Sequence, residues 1–364
     1  ADVVIQPEEK VVLWNYRSDV TTTIPTEAEF REEMRIPDDA VVLKVTSGVN
    51  WGVTSTFSLK TKAGNNVVSM DGFSVELSIP DIGNEMEVYR DMCEPSPGYV
   101  YSGQLNGLVK AKVPDSQIAN GVFITEVRPN DINRSSVYGI SDDLMECVEV
   151  VNTTDHDVDL NNEYQFGYEV KEGSRKILDV SRYDENTESG IGSSDNCVIP
   201  AGKTAVIWFY RINFLKNYTS FPTEKEFRDA YKISEDVPVY IVTGQNGMNN
   251  TNRAVEIYKK NSDGTRKLVS NYCYVGNSDC KDNKSAELMV NPEGPEMLLK
   301  TANAATSMGT ASTEQYTYAK DDGSALTLQL NDTVPKSIMQ GDELRVDFHF
   351  EQTGNLARTG ISTY

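Results

Sequence analysis

The sequence predicts an all-β protein in which one architecture occurs twice and each copy carries a single short helix. The stretch IPTEAEFREEMRI begins at Ile24, and the related stretch FPTEKEFRDAYKI begins at Phe221. Most of the remaining chain alternates apolar and polar residues over short segments, separated by turns rich in Asn, Asp and Gly. Many short strands with one inserted helix favour an antiparallel β-sandwich or barrel.

Both related stretches have the features of a capped amphipathic helix. A capping box requires an N-cap Ser or Thr and a Glu or Gln three residues later. Each copy supplies such a pair: Thr26 with Glu29, and Thr223 with Glu226. Phe30 and Phe227 follow at the fourth helical position, on the face that should pack against a sheet. Each helix is therefore predicted to bury one apolar stripe.

The predicted strands lie on both sides of the second helix. They combine an alternating pattern with β-branched and aromatic residues, which fit a half-buried pleated surface. The turn NSDGT at 261–265 separates the last two strands and is typical of a β-hairpin. The predicted strands cover 122–127, 144–152, 204–210, 237–244, 254–260 and 266–275.

The two copies also correspond outside their helices. The strand VVLWNYR matches AVIWFYR, and this match places Trp14 opposite Trp208. Further along, residues 84–98 match residues 295–309. The offset between the copies grows between these two segments, so the second copy should have the longer hairpin region.

The copies are unequal at their N-terminal ends. Only thirteen residues precede Trp14, whereas two further predicted strands lie upstream of Trp208. We therefore expect a truncated domain at 1–105, a complete domain at 106–316 and the start of a further β-rich module at 317–364. The opening residues ADVVIQPEEK have neither an initiator Met nor a signal-peptide pattern. Together these features indicate an excerpt of a longer repetitive protein.

The charge of the chain argues against two classes of partner. Its 364 residues include 34 Lys and Arg and 55 Asp and Glu, a formal net charge of −21. Such a surface repels nucleic-acid phosphates and anionic lipid. The sequence has no apolar run long enough to cross a membrane, so membrane insertion is not expected. The expected partners are other domains of the same polypeptide or other protein chains.

Residues for nucleophilic or zinc catalysis are scarce. The chain has two histidines, His156 and His349, which lie in different predicted modules. A histidine-based triad, a multi-histidine zinc site or a di-metal phosphatase centre would need more. The five cysteines are Cys93, Cys147, Cys197, Cys273 and Cys280, and they form no CxxC pair. Cys273 and Cys280 could form a disulfide across a turn, or all five could be free thiols.

The acidic clusters can be interpreted either as functional sites or as solvated surface. Asp155, Asp157 and Asp159 would point to one side of an extended segment, which makes them candidates for a calcium site. The alternative is a solvated acidic loop, because charge runs are usually solvated surfaces. The adjacent acids Glu32–Glu33 and Asp142–Asp143 do not by themselves support the paired site of a glycoside hydrolase. No catalytic residue and no cofactor is predicted.

Aromatic residues on the Trp strands are predicted to belong to the core. Trp14 and Tyr16, like Trp208 and Tyr210, alternate along their strands, as inward-facing residues do. Trp51 lies in the predicted loop SGVNWGVTS and is the candidate for an exposed ligand contact, for example with a glycan.

Five segments of the second copy carry a family resemblance. VFITEVRPN, MECVEVVN, DVDLNN, VIPAGKTAVIW and TSMG occur in this order between 122 and 309. In order and spacing they resemble the bacterial lamin tail domain of the secreted or cell-surface type, and 1–105 resembles a C-terminal part of another copy. The chain departs from the family pattern in TSMG, where a proline form is usual, and in DLNNEYQF.

The resemblance implies tandem immunoglobulin-like β-sandwiches, each with one short inserted helix. Such domains are strung along large secreted or surface proteins of Gram-positive bacteria, often beside metallophosphatase or other hydrolase domains. The residues that recur in the family shape the sandwich, so the resemblance transfers no catalytic residue.

The expected function is therefore that of a non-enzymatic structural or interaction module of an extracellular or cell-surface protein, acting as a spacer or docking unit. The alternative is an accessory region that binds carbohydrate or protein within a secreted hydrolase whose catalytic domain lies outside this chain.

Overall fold

The structure is a computed structural model of the chain. Its regular structure is mostly β-strand with few helices, and the all-β prediction is confirmed at this level. For six strand segments the description is of the backbone alone. These segments are 56–60, 66–71, 76–78, 87–90, 325–330 and 348–353. The described residues are 9–16, 24–46, 56–60, 66–71, 76–78, 87–90, 97–99, 118–131, 144–171, 174–212, 221–318, 325–330 and 348–353.

The first copy, described within 9–99, contains one helix and six strands. In chain order these are β1 (Val11–Asn15), α1 (Glu27–Glu33), β2 (Val41–Val45), β3 (Thr56–Lys60), β4 (Asn66–Asp71), β5 (Glu76–Ser78) and β6 (Glu87–Arg90). Strands β1 and β2 pair in parallel, because the intervening helix returns the chain to the same end of the sheet. Strands β3–β4 and β5–β6 form antiparallel pairs.

The second copy, described within 118–318, begins with eight strands. They are β7 (Val122–Arg128), β8 (Cys147–Asn152), β9 (Val158–Asp159), β10 (Tyr164–Lys171), β11 (Ser174–Leu178), β12 (Ser181–Arg182), β13 (Val198–Ile199) and β14 (Thr204–Phe209). Its second half runs through α2 (Glu224–Tyr231), β15 (Val239–Val242), β16 (Arg253–Lys260), β17 (Arg266–Tyr274), α3 (Gly276–Asp279), β18 (Ser285–Met289), β19 (Leu298–Ala304) and a 3₁₀ turn (Thr313–Tyr316). All six predicted strands of this copy are confirmed, with small shifts at their ends.

Beyond the second copy, two strands form an antiparallel pair. They are β20 (Ala325–Leu330) and β21 (Phe348–Thr353). The prediction of a β-rich segment after residue 316 is thus consistent with the strands described there.

Two sheets form the sandwich of the second copy. One has seven strands in the order β12-β15-β14-β8-β7-β18-β19, and the other has four in the order β11-β10-β16-β17. The core between them joins apolar residues of both sheets, such as Ile207 of β14 with Phe166 of β10 and Ile257 of β16. Within the larger sheet, β14 and β15 are parallel, so the sheet is mixed.

The helix α2 buries the opposite face of the seven-stranded sheet. A second apolar cluster there includes Cys147, Trp208, Phe227 and Ile241. Strand β14 is consequently covered on both sides, and its residues 205–209 are all buried. This explains why β14 reads as an unbroken apolar run, a pattern typical of strands that are covered on both faces.

The predicted capping boxes are present in both helices. The Thr26 hydroxyl accepts a hydrogen bond from the Glu29 N–H at 3.2 Å, and the Glu29 carboxylate accepts from the Thr26 N–H at 2.6 Å. Thr223 and Glu226 make the same reciprocal pair, at 3.2 and 2.8 Å. Two N–H groups that the helix cannot satisfy are thereby bonded in each copy.

One arginine in each helix fixes the loop that leads to the next strand. Arg31 donates to the carbonyl oxygens of Pro37 and Ala40, at 3.2 and 3.0 Å. The equivalent donor and acceptors in the second copy are Arg228, Ser234 and Val237, at 2.8 and 2.9 Å. A glutamate one turn earlier pairs with each guanidinium. Equivalent arginines thus hold the equivalent helix-to-strand loop in the two copies.

An aromatic stack joins each helix to its strand. The rings of Trp14 and Phe30 lie 4.3 Å apart, with 5° between their planes. The rings of Trp208 and Phe227 lie 4.5 Å apart, with 15° between their planes. The predicted packing of each Phe against its own sheet is confirmed.

The correspondence extends to the β5–β6 and β18–β19 hairpins, which share a register. In the first copy the paired residues are Glu76 with Arg90, Leu77 with Val88, and Ser78 with Glu87. In the second they are Glu287 with Thr301, Leu288 with Leu299, and Met289 with Leu298. The ladder is irregular at the same place, after the glutamate, in both hairpins. Over the described residues 87–90, the sequence offset of 211 therefore matches structural equivalents.

A glycine closes both copies in a left-handed conformation. Gly98 has φ +87° and Gly309 has φ +88°. A Cβ atom at Gly98 would lie 2.8 Å from Pro37 Cδ, and one at Gly309 would lie 3.3 Å from Ile233 Cγ2. Both the conformation and the close approach favour glycine at this turn.

The Phe of each stack contributes to stability in proportion to its burial. Phe227 is fully buried, whereas Phe30 is half-buried. We expect Phe227→Ala to lower the free energy of unfolding by about 3–5 kcal/mol, and Phe30→Ala to lower it by less. Urea unfolding followed by circular dichroism measures both changes. Lys225→Ala, on the exposed side of α2, is the control and should change little. Equal losses for the two Phe variants would contradict this ranking.

Candidate functional site

The three aspartates proposed for calcium are each held by a different partner. Asp155 lies 3.0 Å from the His156 ring, and Asp157 accepts a hydrogen bond from the Ala201 N–H at 3.0 Å. Asp159 accepts from the N–H groups of residues 161 and 162, which closes the turn after β9. In the described part of the chain, no three His, Cys, Asp or Glu side chains gather as a metal site.

His156 lies in an acidic setting on the surface. Its Nδ1 contacts Asp155, and its Nε2 lies 3.2 Å from Glu163. The hydrogen bond to Asp155 and then that to Glu163 raise the pKa of His156. The imidazole is half exposed, as expected for a loop residue. These contacts favour the protonated imidazole over the neutral one.

Several sequence candidates lie outside the described residues. They are Trp51, Cys93, Asp142 and Asp143, together with the side chain of His349. Trp14 is 7 % exposed, and Trp208 and Tyr210 are buried, so their assignment to the core is confirmed; Tyr16 is only half-buried. Glu32 and Glu33 lie on α1, where Glu32 forms an ion pair with Arg266 at 2.6 Å.

The four described cysteines are free thiols. The interpretation that Cys273 pairs with Cys280 is therefore wrong in this structure. Burial raises the pKa of Cys147 well above its usual value, that of Cys197 to about 11 and that of Cys280 to about 12. Thiols with raised pKa are poor nucleophiles at neutral pH, and these three serve as small buried side chains.

Two buried glutamates that face each other across β7 and β8 were missed in the sequence. Glu126 and Glu149 are paired in register, and both are fully buried. The Glu126 carboxylate accepts hydrogen bonds from the Ser307 N–H and hydroxyl, at 3.0 and 2.7 Å. The Glu149 carboxylate accepts from the Gly309 N–H at 2.6 Å. The pair therefore anchors the closing loop that contains TSMG.

The environment of Glu149 changes its ionisation. Burial is the main cause that raises its pKa to about 8, and the neighbouring Glu126 adds to the effect. The hydroxyl of Thr125 and the N–H groups of Gly309 and Thr310 oppose the shift by donating to the carboxylate. The sequence signal for this role was a glutamate inside each of two strands whose other residues are mostly apolar.

The two copies meet at a buried ion cluster around Glu256. This carboxylate is fully buried in β16 and accepts from the first copy's Arg35 at 2.6 Å. Arg175 Nε and the Tyr258 hydroxyl also donate to it, at 2.9 and 2.7 Å. Arg35 has φ +57°, which directs the chain after α1. A buried carboxylate with three donors is a strong local constraint.

A groove of about 460 Å³ runs beside this cluster, between α1 and the β16–β17 turn. Its walls carry charges of both signs, together with one tyrosine and several turn residues. Burial, followed by Asp39 and Asp38, raises the pKa of Tyr99 to about 12, so its hydroxyl stays protonated. The polar side chains include Arg31, Asp38, Tyr99, Asn261, Asp263 and Lys267. Such walls suit a polar ligand that both donates and accepts hydrogen bonds.

The family resemblance rests on the sequence motifs alone, because comparison with known proteins adds no support to it. No protein-family model, curated protein or solved structure matches the chain. Among the described residues, no helix is long and apolar enough to cross a membrane. The junction between the copies is the candidate functional site, because it combines a buried charge cluster with an open groove.

The ionisation of Glu149 predicts a dependence of stability on pH. With a pKa raised from 4.5 to about 8, its stabilising contribution is fully present below 4.5 and is lost as the pH rises through about 8. Glu149→Gln cannot ionise, so the wild type should lose stability relative to this variant across that range. Urea unfolding at a series of pH values measures the difference.

The exposed variant Glu235→Gln is the control for this experiment and should follow the wild type. A wild type that instead gains stability over Glu149→Gln with rising pH would show that Glu149 is ionised in the fold.

Proposed function

We propose that this chain is a structural and interaction module, in which tandem β-sandwiches act as a spacer or docking unit of a larger extracellular or cell-surface protein. The observation that carries the proposal is the buried junction of Arg35 with Glu256. A spacer needs a defined angle between its units, and a buried, multiply bonded ion pair holds such an angle better than exposed contacts do.

The geometry of the junction supports a stiff connection. Among the described residues, two ion pairs link the copies, Arg35 with Glu256 and Glu32 with Arg266, both at 2.6 Å. The first is almost fully buried and the second is partly exposed. Breaking the buried pair removes one charged donor from Glu256, which keeps Arg175 and Tyr258, so the loss is smaller than that of an unpaired buried charge. Bending at this junction is therefore opposed by the loss of a buried, charge-assisted hydrogen bond.

The roles of the motif residues support the proposal of a lamin-tail-like, immunoglobulin-like fold. Glu126 and Glu149 of VFITEV and MECVEVVN anchor the closing loop. Asn152 donates to the carbonyl oxygens of His156 and Ile199, which ties β8 to the loop after it and to β13. Residues that resemble the family motif thus shape the sandwich, and the proposal of a non-enzymatic bacterial surface module follows from that resemblance.

The groove beside the junction favours a second candidate function, an accessory site for carbohydrate or protein within a secreted hydrolase. Tyr99, Asn261 and Asp263 supply an aromatic ring and planar polar groups, which are common in carbohydrate recognition. Screening the whole chain on a glycan array separates the two candidates, because a spacer needs no glycan.

Removal of Arg35 should loosen the junction without unfolding the copies. In Arg35→Ala, Glu256 loses one donor but keeps Arg175 and Tyr258. We expect a larger radius of gyration by small-angle X-ray scattering, with an unchanged circular dichroism spectrum. Lys232→Ala is the matched control, because Lys232 has the same backbone conformation at φ +58° but is exposed. Scattering from Arg35→Ala that matches the wild type would contradict the spacer proposal.

A further inference from the structure

The loop between β15 and β16 is held in a fixed shape by buried side chains of other strands. The Glu146 carboxylate accepts a hydrogen bond from the Met248 N–H at 2.7 Å. The Tyr168 hydroxyl accepts from the Asn249 N–H, and the Tyr274 hydroxyl donates to the carbonyl of the same residue, both at 2.7 Å. These bonds fix the backbone that directly follows an Asn-Gly pair in the loop.

The loop requires a glycine in that pair. Gly247 is buried and has φ +71°, a conformation that residues with a side chain rarely adopt. A Cβ atom at this position would also collide with Glu146 Oε2. The residue after Asn246 is therefore one without a side chain, so nothing on it shields its nitrogen from the Asn246 carboxamide.

The carboxamide of Asn246 is held by a guanidinium. Arg211, which is 6 % exposed, donates to Asn246 Oδ1 from Nε at 3.2 Å and from Nη2 at 2.8 Å. A guanidinium can only donate, so the atom that faces it is the carboxamide oxygen. Two charged donors on one carbonyl oxygen polarise the carbon and stabilise negative charge that develops on the oxygen.

The other two groups that would react at this pair are unrestrained. Among the described residues, neither the Gly247 N–H nor Asn246 Nδ2 has a hydrogen-bond partner. The first is the nitrogen that can attack the carboxamide carbon, and the second is the amine that can leave it. A nucleophile, a polarised carbonyl and a leaving group therefore adjoin in two successive residues.

We propose that Asn246–Gly247 is a self-processing site, at which Asn246 loses ammonia and becomes an aspartate through a cyclic imide. The Gly247 nitrogen forms a bond to Asn246 Cγ, the bond from Cγ to Nδ2 breaks, and the proton given up by Gly247 leaves with the ammonia. Water then adds to Cγ and breaks the new bond, so a carboxylate remains. Arg211 acts as the catalytic residue, because it contacts the oxygen on which charge develops.

The fold favours one of the two ways in which the imide can open. Water that attacked the main-chain carbonyl instead would leave the chain linked through the side chain, with an additional backbone carbon before Gly247. That carbon would displace the Met248 N–H from Glu146. Attack at Cγ keeps the backbone as it is and places a carboxylate opposite Arg211, where an ion pair replaces a hydrogen bond to a neutral oxygen.

A second Asn-Gly pair in the chain is a matched control. Asn120 is exposed and Gly121 is buried, as are the residues of the first pair. The Gly121 N–H, however, donates to the Thr153 hydroxyl at 3.1 Å. In the part of the chain that the structure describes, no arginine donates to Asn120. This pair therefore has the same residues without the groups that promote the reaction.

The test follows both pairs in the full chain during incubation in heavy-oxygen water, in buffer and in guanidinium chloride. Peptide mapping by mass spectrometry measures the conversion of each asparagine. In the folded chain Asn246 should convert at least about tenfold faster than Asn120, because a single oxyanion donor is worth that factor or more. In the denatured chain the two should convert at similar rates, and Asn246 should convert more slowly than in the fold.

The variant Arg211→Lys separates catalysis from the stability of the loop. Lysine keeps the charge but lacks the planar fork of two donors, so conversion of Asn246 should slow by about tenfold. A purely structural role of Arg211 predicts the opposite, because a loosened loop reaches the geometry of attack more often. The product variant Asn246→Asp should unfold at a higher urea concentration than the wild type, because it gains the ion pair with Arg211.

Two outcomes would overturn the proposal. The first is a conversion of Asn246 in the folded chain that is no faster than in the denatured chain. The second is an unchanged or faster conversion in Arg211→Lys; if this variant does not fold, the comparison of folded with denatured wild type decides alone. The inference goes beyond the proposed function, and neither measurement involves the junction between the copies, so the two proposals fail or stand separately.

Discussion

The stack of a tryptophan on a phenylalanine is the contact on which the rest of each copy depends. Among the described residues Trp208 is the largest fully buried side chain, and its indole N–H donates to the Leu144 carbonyl at 2.7 Å. Phe227 covers its face and belongs to a helix that is too short to be stable alone. The capping box and the arginine bonds to the next loop hold that helix in place. Aromatic packing and local hydrogen bonds therefore act jointly to hold the helix against the parallel strand pair.

Local sequence rules predicted those parts of the fold that depend on neighbours in the chain. The capping box of Thr223 and Glu226 is a contact over three residues, and alternation identified strands such as β16 and β17. The parallel pairing of β14 with β15 was missed, although a strand, a helix and a strand in succession imply it. The continuous apolar run of β14 also required a cover on both faces, which the single helix supplies.

The buried charges could not be predicted from local patterns. Glu126 and Glu149 sit inside strands, where a glutamate normally marks a solvent-facing position. Their partners lie at Ser307 and Gly309, more than 150 residues away. Glu256 likewise finds Arg35 across 221 positions. Only the three-dimensional path of the chain shows that these carboxylates meet donors. Sequence patterns indicate which apolar residues are buried, but they do not indicate which N–H groups distant in sequence lie nearby.

The junction has a consequence for how such modules could be combined. It is heterologous: the loop after α1 of one copy meets the β16 face of the next, and the two surfaces differ. Lys232 shows that the second copy has the backbone of the same connecting arm, at the same φ as Arg35. A heterologous contact applied repeatedly does not close on itself unless its rotation brings it back to the start. Successive modules joined in this way would therefore form a polar, open array with a constant turn per unit.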